Sequence, residues 1–284
     1  MGRIAWIVSY PKSGNTWVRL MLSSLADGGR EIDINAPILK SAVATYEDFE
    51  EAFGVESGDL TADEIEICRP ALHAAIAEDS DRPVALRKVH DRYSFASTGE
   101  PVFPASVTCG AVYLVRDPRD VAASYSHHRG EDLDAIIRFM ADEQAVLAEP
   151  GERFKPQLPQ PLGSWSTHVS SWLDQKEIRV TLVRYEDLIE NPCVIFGKIA
   201  QELGFSSDRA LIKSVVDATR FEKLKAQEQA AGFRERRIGS TAPFFREGRA
   251  GNWRALLSRE QAGEIEAMHR EMMERLGYLR SSGR

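Results

Sequence analysis

Three short stretches of the chain carry side chains whose type and spacing can do chemistry. In "YPKSGNTW", Tyr10–Trp17, Lys12 stands just before Gly14, and Thr16 and Trp17 follow it. Pro11, Ser13, Gly14 and Asn15 break regular structure, so the stretch reads as a tight loop. Placed between a strand and a helix, such a loop aims backbone N–H groups and a helix N-terminus at one point, which is an anion site. Lys12 adds a mobile positive charge there. The Walker A order GxxxxGK[ST] is reversed, because the lysine precedes the glycine. The loop is therefore P-loop-like without being built for a nucleoside triphosphate and magnesium.

The second stretch is "PVALRKVHDRY", where Lys88 and His90 fall two residues apart just past an apolar run. In extended chain they point to the same side. A neutral histidine can take a proton from a hydroxyl, and a lysine beside it can neutralise charge on a leaving oxygen. A lone histidine is more often structural; the neighbouring anion loop favours catalysis here. The third is "AVYLVRDPRDVAASY", with Arg116 at the end of an apolar run and Ser124 about two helical turns on. A guanidinium grips a phosphate bidentately and a hydroxyl adds a neutral donor. Alternatively, Arg116 pairs with Asp117 or Asp120 and Ser124 is helix filler.

The elements that must hold these groups are legible as apolar runs suited to strands: Ile4–Val8, Val84–Leu86, Ala111–Val115 and Val180–Val183. Helical periodicity follows the first, third and fourth, beginning with Trp17, Leu20, Met21 and Leu25. Strands alternating with helices predict one α/β domain over residues 1–284, with a mostly parallel central sheet flanked by helices. Binding sites in such sheets lie at the carboxyl ends of the strands, where all three stretches fall. Variable or mobile loops and lids are expected over 27–82, 149–164 and 225–250. Near the C-terminus, "SREQAGEIEAMHREMMERLGYL" predicts an amphipathic helix with Ile265, Met268, Met272 and Leu276 in the core.

The 284 residues can bury a substantial core, and 43% hydrophobic with 28% charged residues is ordinary for a soluble globular protein. A net charge of −7 argues against general binding to nucleic acid or anionic membranes. No apolar run approaches a membrane span, and the first strand lacks the flanks of a signal peptide. Cys68, Cys109 and Cys193 are few and scattered, which fits a reducing cytoplasm and offers no metal spacing. Charge is uneven: residues 46–66 hold nine acids and no Lys or Arg, whereas 233–254 hold six Arg against two Glu. The acidic run is either a solvated helix face or loop, or a lid; the basic run suits a specific anion.

Taken together, the motifs resemble the cytosolic-type sulfotransferases that use 3′-phosphoadenosine-5′-phosphosulfate (PAPS), and the opening resembles the bacterial branch that modifies small molecules and natural products. "YPKSGNTW" is similar to the family's YPKSGTTW, "KVH" at Lys88–His90 to its K-x-H, and "RDPRDVAAS" at Arg116–Ser124 to its 3′-phosphate segment. "GSWSTHVSSW", "VRYEDLIENP", "TRF" at Thr219–Phe221 and "FREGRAGNW" at Phe245–Trp253 follow in family order, so the resemblance covers nearly the whole chain. It implies sulfuryl transfer from PAPS to a small-molecule hydroxyl, leaving 3′-phosphoadenosine-5′-phosphate (PAP), with no metal. His90 would be the base, with Lys12, Lys88 and Ser124 completing the catalytic set. Lys12 and the backbone of Ser13, Gly14, Asn15 and Thr16 would hold the 5′-phosphosulfate. Trp17 and Phe221 would sandwich the adenine, with Thr219 beside them. Arg116, Ser124, Arg246 and Gly248 would hold the 3′-phosphate, with Phe245 and Tyr185 completing the donor site.

Three departures stand out. Asn15 replaces a Thr, Glu247 replaces the Lys of the family's R-K-G, and the usual dimer segment K-x-x-x-T-V-x-x-x-E is not recognisable after Trp253. Any homodimer would use another interface. Two other readings remain at this stage: an ATP/magnesium kinase, and a protein that binds PAP or PAPS without transfer.

Overall fold

The computed structural model describes residues 2–37, 44–79, 84–148, 156–236 and 242–280. Parts of the three expected loop regions, 38–43, 80–82, 149–155 and 237–241, lie outside the described residues. From the N-terminus, β1 (Arg3–Ser9) leads into α1 (Asn15–Ala26), and α2 (Tyr46–Phe53) and α3 (Ala62–Glu78) precede β2 (Val84–Val89). β3 (Thr108–Val115) runs into α4 (Pro118–Arg129) and α5 (Leu133–Ala141). The short β4 (Val146–Leu147) and β5 (Gln160–Pro161) come before α6 (Trp165–Asp174) and β6 (Val180–Arg184). Seven helices follow: α7 (Tyr185–Glu190), α8 (Pro192–Glu202), α9 (Arg209–Ala218), α10 (Phe221–Ala231), α11 (Trp253–Leu256), α12 (Arg259–Met268) and α13 (Arg270–Arg275).

The four apolar runs form one parallel sheet in the order β2-β1-β3-β6. β1 is central and alternates cleanly. Ile4, Trp6 and Val8 face one core with α3, α4 and α6, while Ala5 and Ile7 face a second core with α1, α8 and α9. Burial on both faces explains why its sequence reads as a continuous apolar run. Because the strands are parallel and in register, Ser9, Val89, Val115 and Arg184 finish at the same edge. The three chemistry-bearing stretches therefore meet there. A smaller cluster around Leu20, Leu224, Phe233 and Phe245 seats the later part of the chain on α1.

Residues 27–82 are less loop-like than expected, because α2 and α3 occupy much of them. Both start with reciprocal capping boxes, Thr45 with Asp48 and Thr61 with Glu64. The acidic run thus supplies caps and an exposed helix surface. Within 225–250, α10 extends to Ala231. The C-terminal amphipathic segment is two helices that break at His269 rather than one. Ile265, Met272 and Leu276 are buried as expected, but Met268, at the end of α12 beside the break, is 44% exposed, and Met273 is fully buried.

Candidate active site

The turn from β1 into α1 is held from behind. Asn15 Nδ2 donates to the Ile7 carbonyl at 2.9 Å and to Ser9 Oγ at 3.2 Å. The residue that departs from the sulfotransferase pattern therefore points inward and ties the loop to its strand. Lys12 has φ 69°, a left-handed conformation that costs a non-glycine residue about 1–3 kcal/mol and is found at functional sites. Gly14, at φ 98°, is the N-cap of α1, and a Cβ there would come within 2.6 Å of the Tyr185 ring. No side chain caps α1, and no acid stands in its first turn. Its N-terminal N–H groups and positive dipole end are left for an external anion.

Around that point lies a cavity of about 520 Å³. Every residue selected from the sequence lines it except Ser13 and Thr219. Lys12, Lys88, His90 and Thr16 share it with Arg116, Ser124 and Arg246, and with the rings of Trp17, Tyr185, Phe221 and Phe245. Ser13 is fully buried behind the wall, with its hydroxyl unpartnered. Thr219 is also fully buried. Its carbonyl accepts from Trp17 Nε1 at 3.0 Å, and its hydroxyl donates to Val215 O. Thr219 thus aims the Trp17 indole instead of facing a ligand itself.

The alternative partners of Arg116 are occupied elsewhere. Asp117 caps α4 and pairs with Arg119 at 2.7 Å, while Asp120 accepts from the backbone of Gly251 and Trp253 at 2.6 and 2.9 Å. Arg116 donates to the carbonyls of Lys12 and Arg249 at 3.1 and 3.4 Å and lies over the Tyr185 ring. Its charge stays available at the cavity. Glu247 is paired at 2.8 Å with Arg249, so its charge is opposed locally.

Burial, and then neighbouring charge, shifts the basic groups of the cavity. Burial, with Arg116 and Lys88 adding repulsion, pulls Lys12 down to about 7. Burial pulls Lys88 down to about 8, against the opposing pull of Glu235. His90 is held well below its ordinary value by burial and by Lys88. Its Nδ1 lies 2.6 Å from the Ser9 carbonyl. A carbonyl only accepts, so Nδ1 carries the proton and Nε2 is left with a free lone pair. A second histidine fixes the backbone at this point: His168 Nε2 donates to the His90 carbonyl at 2.8 Å, and the Tyr113 hydroxyl meets His168 Nδ1 at 2.6 Å.

Two charged residues of the site were missed in the sequence. Glu235 lines the cavity, pairs with Arg19 and accepts from the Thr16 hydroxyl at 3.4 Å. Arg19 is a buried arginine inside the apolar run "WVRLML", and that misplacement was the available signal. Glu235 had none, being one acid among the arginines of "FRERR".

The profile of the sulfotransferase domain family matches residues 3–277. The chain belongs to that family. Among its sulfotransferase relatives, cytosolic sulfotransferase 16 of Arabidopsis thaliana is 23% identical over 96% of this chain and 77% of its own length. Sulfotransferase 1B1 of Mus musculus is 24% identical over 94% of this chain and 81% of its own. The solved structure of mouse sulfotransferase SULT7A1, complexed with PAP, superposes with a TM-score of 0.62 at 20% identity, covering 97% of this chain and 85% of that one. Retinol dehydratase, solved with androsterone and PAP, gives 0.61 at 18% identity, covering 95% and 80%. These likenesses establish a sulfotransferase fold. Among the described residues, no helix is long and apolar enough to cross a membrane, and no group of three His, Cys, Asp or Glu is placed to hold a metal.

Proposed function

We propose that the protein transfers the sulfuryl group of PAPS to a hydroxyl, phenolic or alcoholic, on a small molecule or natural product. The observation that carries this reading is the convergence of Lys12, Lys88 and the free Nε2 of His90 on one cavity at the uncapped end of α1, with Arg116, Ser124 and Arg246 on the same wall. The nucleotide's adenine would stack between Trp17 and Phe221, a contact worth about 1–3 kcal/mol. Its 3′-phosphate would lie among Arg116, Ser124 and Arg246, and its phosphosulfate against Lys12 and the Gly14–Thr16 backbone. Bound anion would restore full charge to Lys12 and Lys88, which could then stabilise oxygens gaining charge as the S–O bond breaks. His90 would receive the acceptor's proton. Apolar walls at Leu147 and Phe244 suit an uncharged acceptor body. Retinol dehydratase has been solved in complexes with PAP and either androsterone or retinol, which supports a hydrophobic alcohol as the acceptor class.

Thermal unfolding with PAP, set against ATP and magnesium, tests the donor. At 100 times its dissociation constant PAP adds about 2.7 kcal/mol, a rise of about 5–10 °C at 2–4 °C per kcal/mol. The expected result is a rise with PAP alone. A rise only with ATP and magnesium would favour a kinase.

A second expectation concerns Gly248. Its φ is 62°, and a Cβ there would lie 2.4 Å from the Phe221 ring. Gly248→Ala must both strain the backbone, by about 1–2 kcal/mol, and push Phe221 off the nucleotide site. PAP affinity, read by calorimetry, should fall by about tenfold or more. Unchanged affinity would mean that Phe221 does not stack on the donor.

A further inference from the structure

A recess of about 30 Å³ adjoins the main cavity, sharing Lys12, Ser124, His128, Phe244 and Arg246 with it. Its remaining lining residues are His127, Arg236, Ala242 and Pro243. The charged and titratable groups facing it are Lys12 from the loop after β1, His127 and His128 from α4, and Arg236 and Arg246 from the segment after α10. Among the described residues lining it there is no carboxylate. A recess walled by three permanent or potential cations, two imidazoles and a serine hydroxyl is complementary to an anion. Its size fits the outer oxygens of a phosphate seated mainly in the larger cavity.

His127 lines this recess but not the main cavity. It sits one turn beyond Ser124 on α4 and therefore on the same helix face. Among the described residues, its Nε2 is sealed from solvent and has no hydrogen-bond partner. A buried polar atom left without a partner calls for a ligand group or water to satisfy it. Burial and the charge of Arg246 disfavour the imidazolium, although the Pro243 carbonyl favours it. A phosphate dianion between Arg246 and His127 reverses that balance, because opposite charge stabilises the protonated ring.

We propose that His127 is a further ligand of the donor's 3′-phosphate and binds it as an imidazolium. This rests on the reading of the site as a PAPS site. The ring takes its proton from solvent as the nucleotide enters, so tight donor binding is coupled to proton uptake and weakens as pH rises.

The test is calorimetric. PAP and adenosine 5′-phosphosulfate, which lacks the 3′-phosphate, are titrated into the wild type, His127→Gln and His127→Asn from about pH 6 to 8.5. His127→Gln and His127→Asn should each weaken PAP by about tenfold near pH 6, the scale of one charge-assisted hydrogen bond. Both should leave adenosine 5′-phosphosulfate within about twofold of the wild type, which also reports an intact site. The wild-type affinity for PAP should fall more steeply with pH than that of either variant, the phosphate's own titration being common to all three. Unchanged PAP affinity in both variants, or equal loss of both nucleotides, overturns the role of His127. Failure of the wild type to bind PAP overturns the donor reading itself.

Discussion

His90→Ala is expected to lower the rate of sulfuryl transfer by about 10²–10⁴-fold, the usual contribution of a general base, while PAP still binds. The imidazole is pre-set for this work. The Ser9 carbonyl holds Nδ1–H, His168 anchors the His90 backbone, and burial with nearby Lys88 keeps the ring neutral. No proton has to leave it before it can accept one. The pH profile separates this role from a structural one. A histidine whose value is depressed is in its active, neutral form above that value, so the loss of kcat/KM due to His90 should set in only below pH 6.5. On the alkaline side, Lys12 at about 7 and Lys88 at about 8 lose charge in the free protein, and kcat/KM for the donor should decline there. His90→Ala removes the acidic limb and leaves the alkaline one. Full turnover by a folded His90→Ala protein would sink the assignment. Equal loss of turnover and PAP binding would make His90 a positioning residue only.

What the sequence disclosed follows from what is locally encoded. A strand buried on both faces must be continuously apolar, so the four sheet strands were legible from their side chains alone. Parallel strands must end together, so Lys12, Lys88, His90 and Arg116 could be placed at one edge without knowing the order of the sheet. Pairing across long chain separations was hidden. Arg116 had carboxylates one and four residues away, yet Asp117 turns to Arg119 and Asp120 to the backbone of Gly251 and Trp253. That second contact pins the segment carrying Arg246 and Gly248 to α4, a tertiary fact that adjacency cannot reveal. The ion pair of Arg19 with Glu235 spans most of the chain in the same way. The break at His269 was invisible for a different reason: the apolar spacing continues through it, and Ile265, Met272 and Leu276 are buried on either side of it.

The largest effect on stability is expected away from the cavity, at Arg69. This arginine rises from α3 into the core and pairs with Asp91, the residue after His90; both are buried, at 2% and 1% exposure. Glu66 and the Pro159 carbonyl take its other nitrogen at 3.1 and 3.5 Å. Burial pushes the Asp91 carboxyl up from its ordinary value, and the guanidinium opposes that shift. Arg69→Met keeps much of the volume but leaves Asp91 buried without its partner, and breaking one side of a buried pair costs about 3–5 kcal/mol. At about 2–4 °C per kcal/mol this lowers the melting temperature by about 6–20 °C. Asp91→Asn in the same chain removes the stranded charge and should return part of the loss, since a buried pair can be replaced as a unit at far less cost than one partner alone. The consequence for catalysis follows from chain continuity. The Asp91 carbonyl accepts from Trp172 Nε1 at 2.9 Å, so α3 and α6 together clamp the end of β2 that carries His90. Arg69→Met should therefore lower kcat for transfer at temperatures where the protein is still folded, with PAP affinity nearly unchanged, because the contacts proposed for the nucleotide lie on the loop after β1, α1, α4, α7, α10 and the segment around Arg246 and none lies on α3. A variant as stable as the wild type would show that the pair contributes nothing net. A loss of PAP affinity equal to the loss of kcat would show that α3 supports the whole cavity rather than the base.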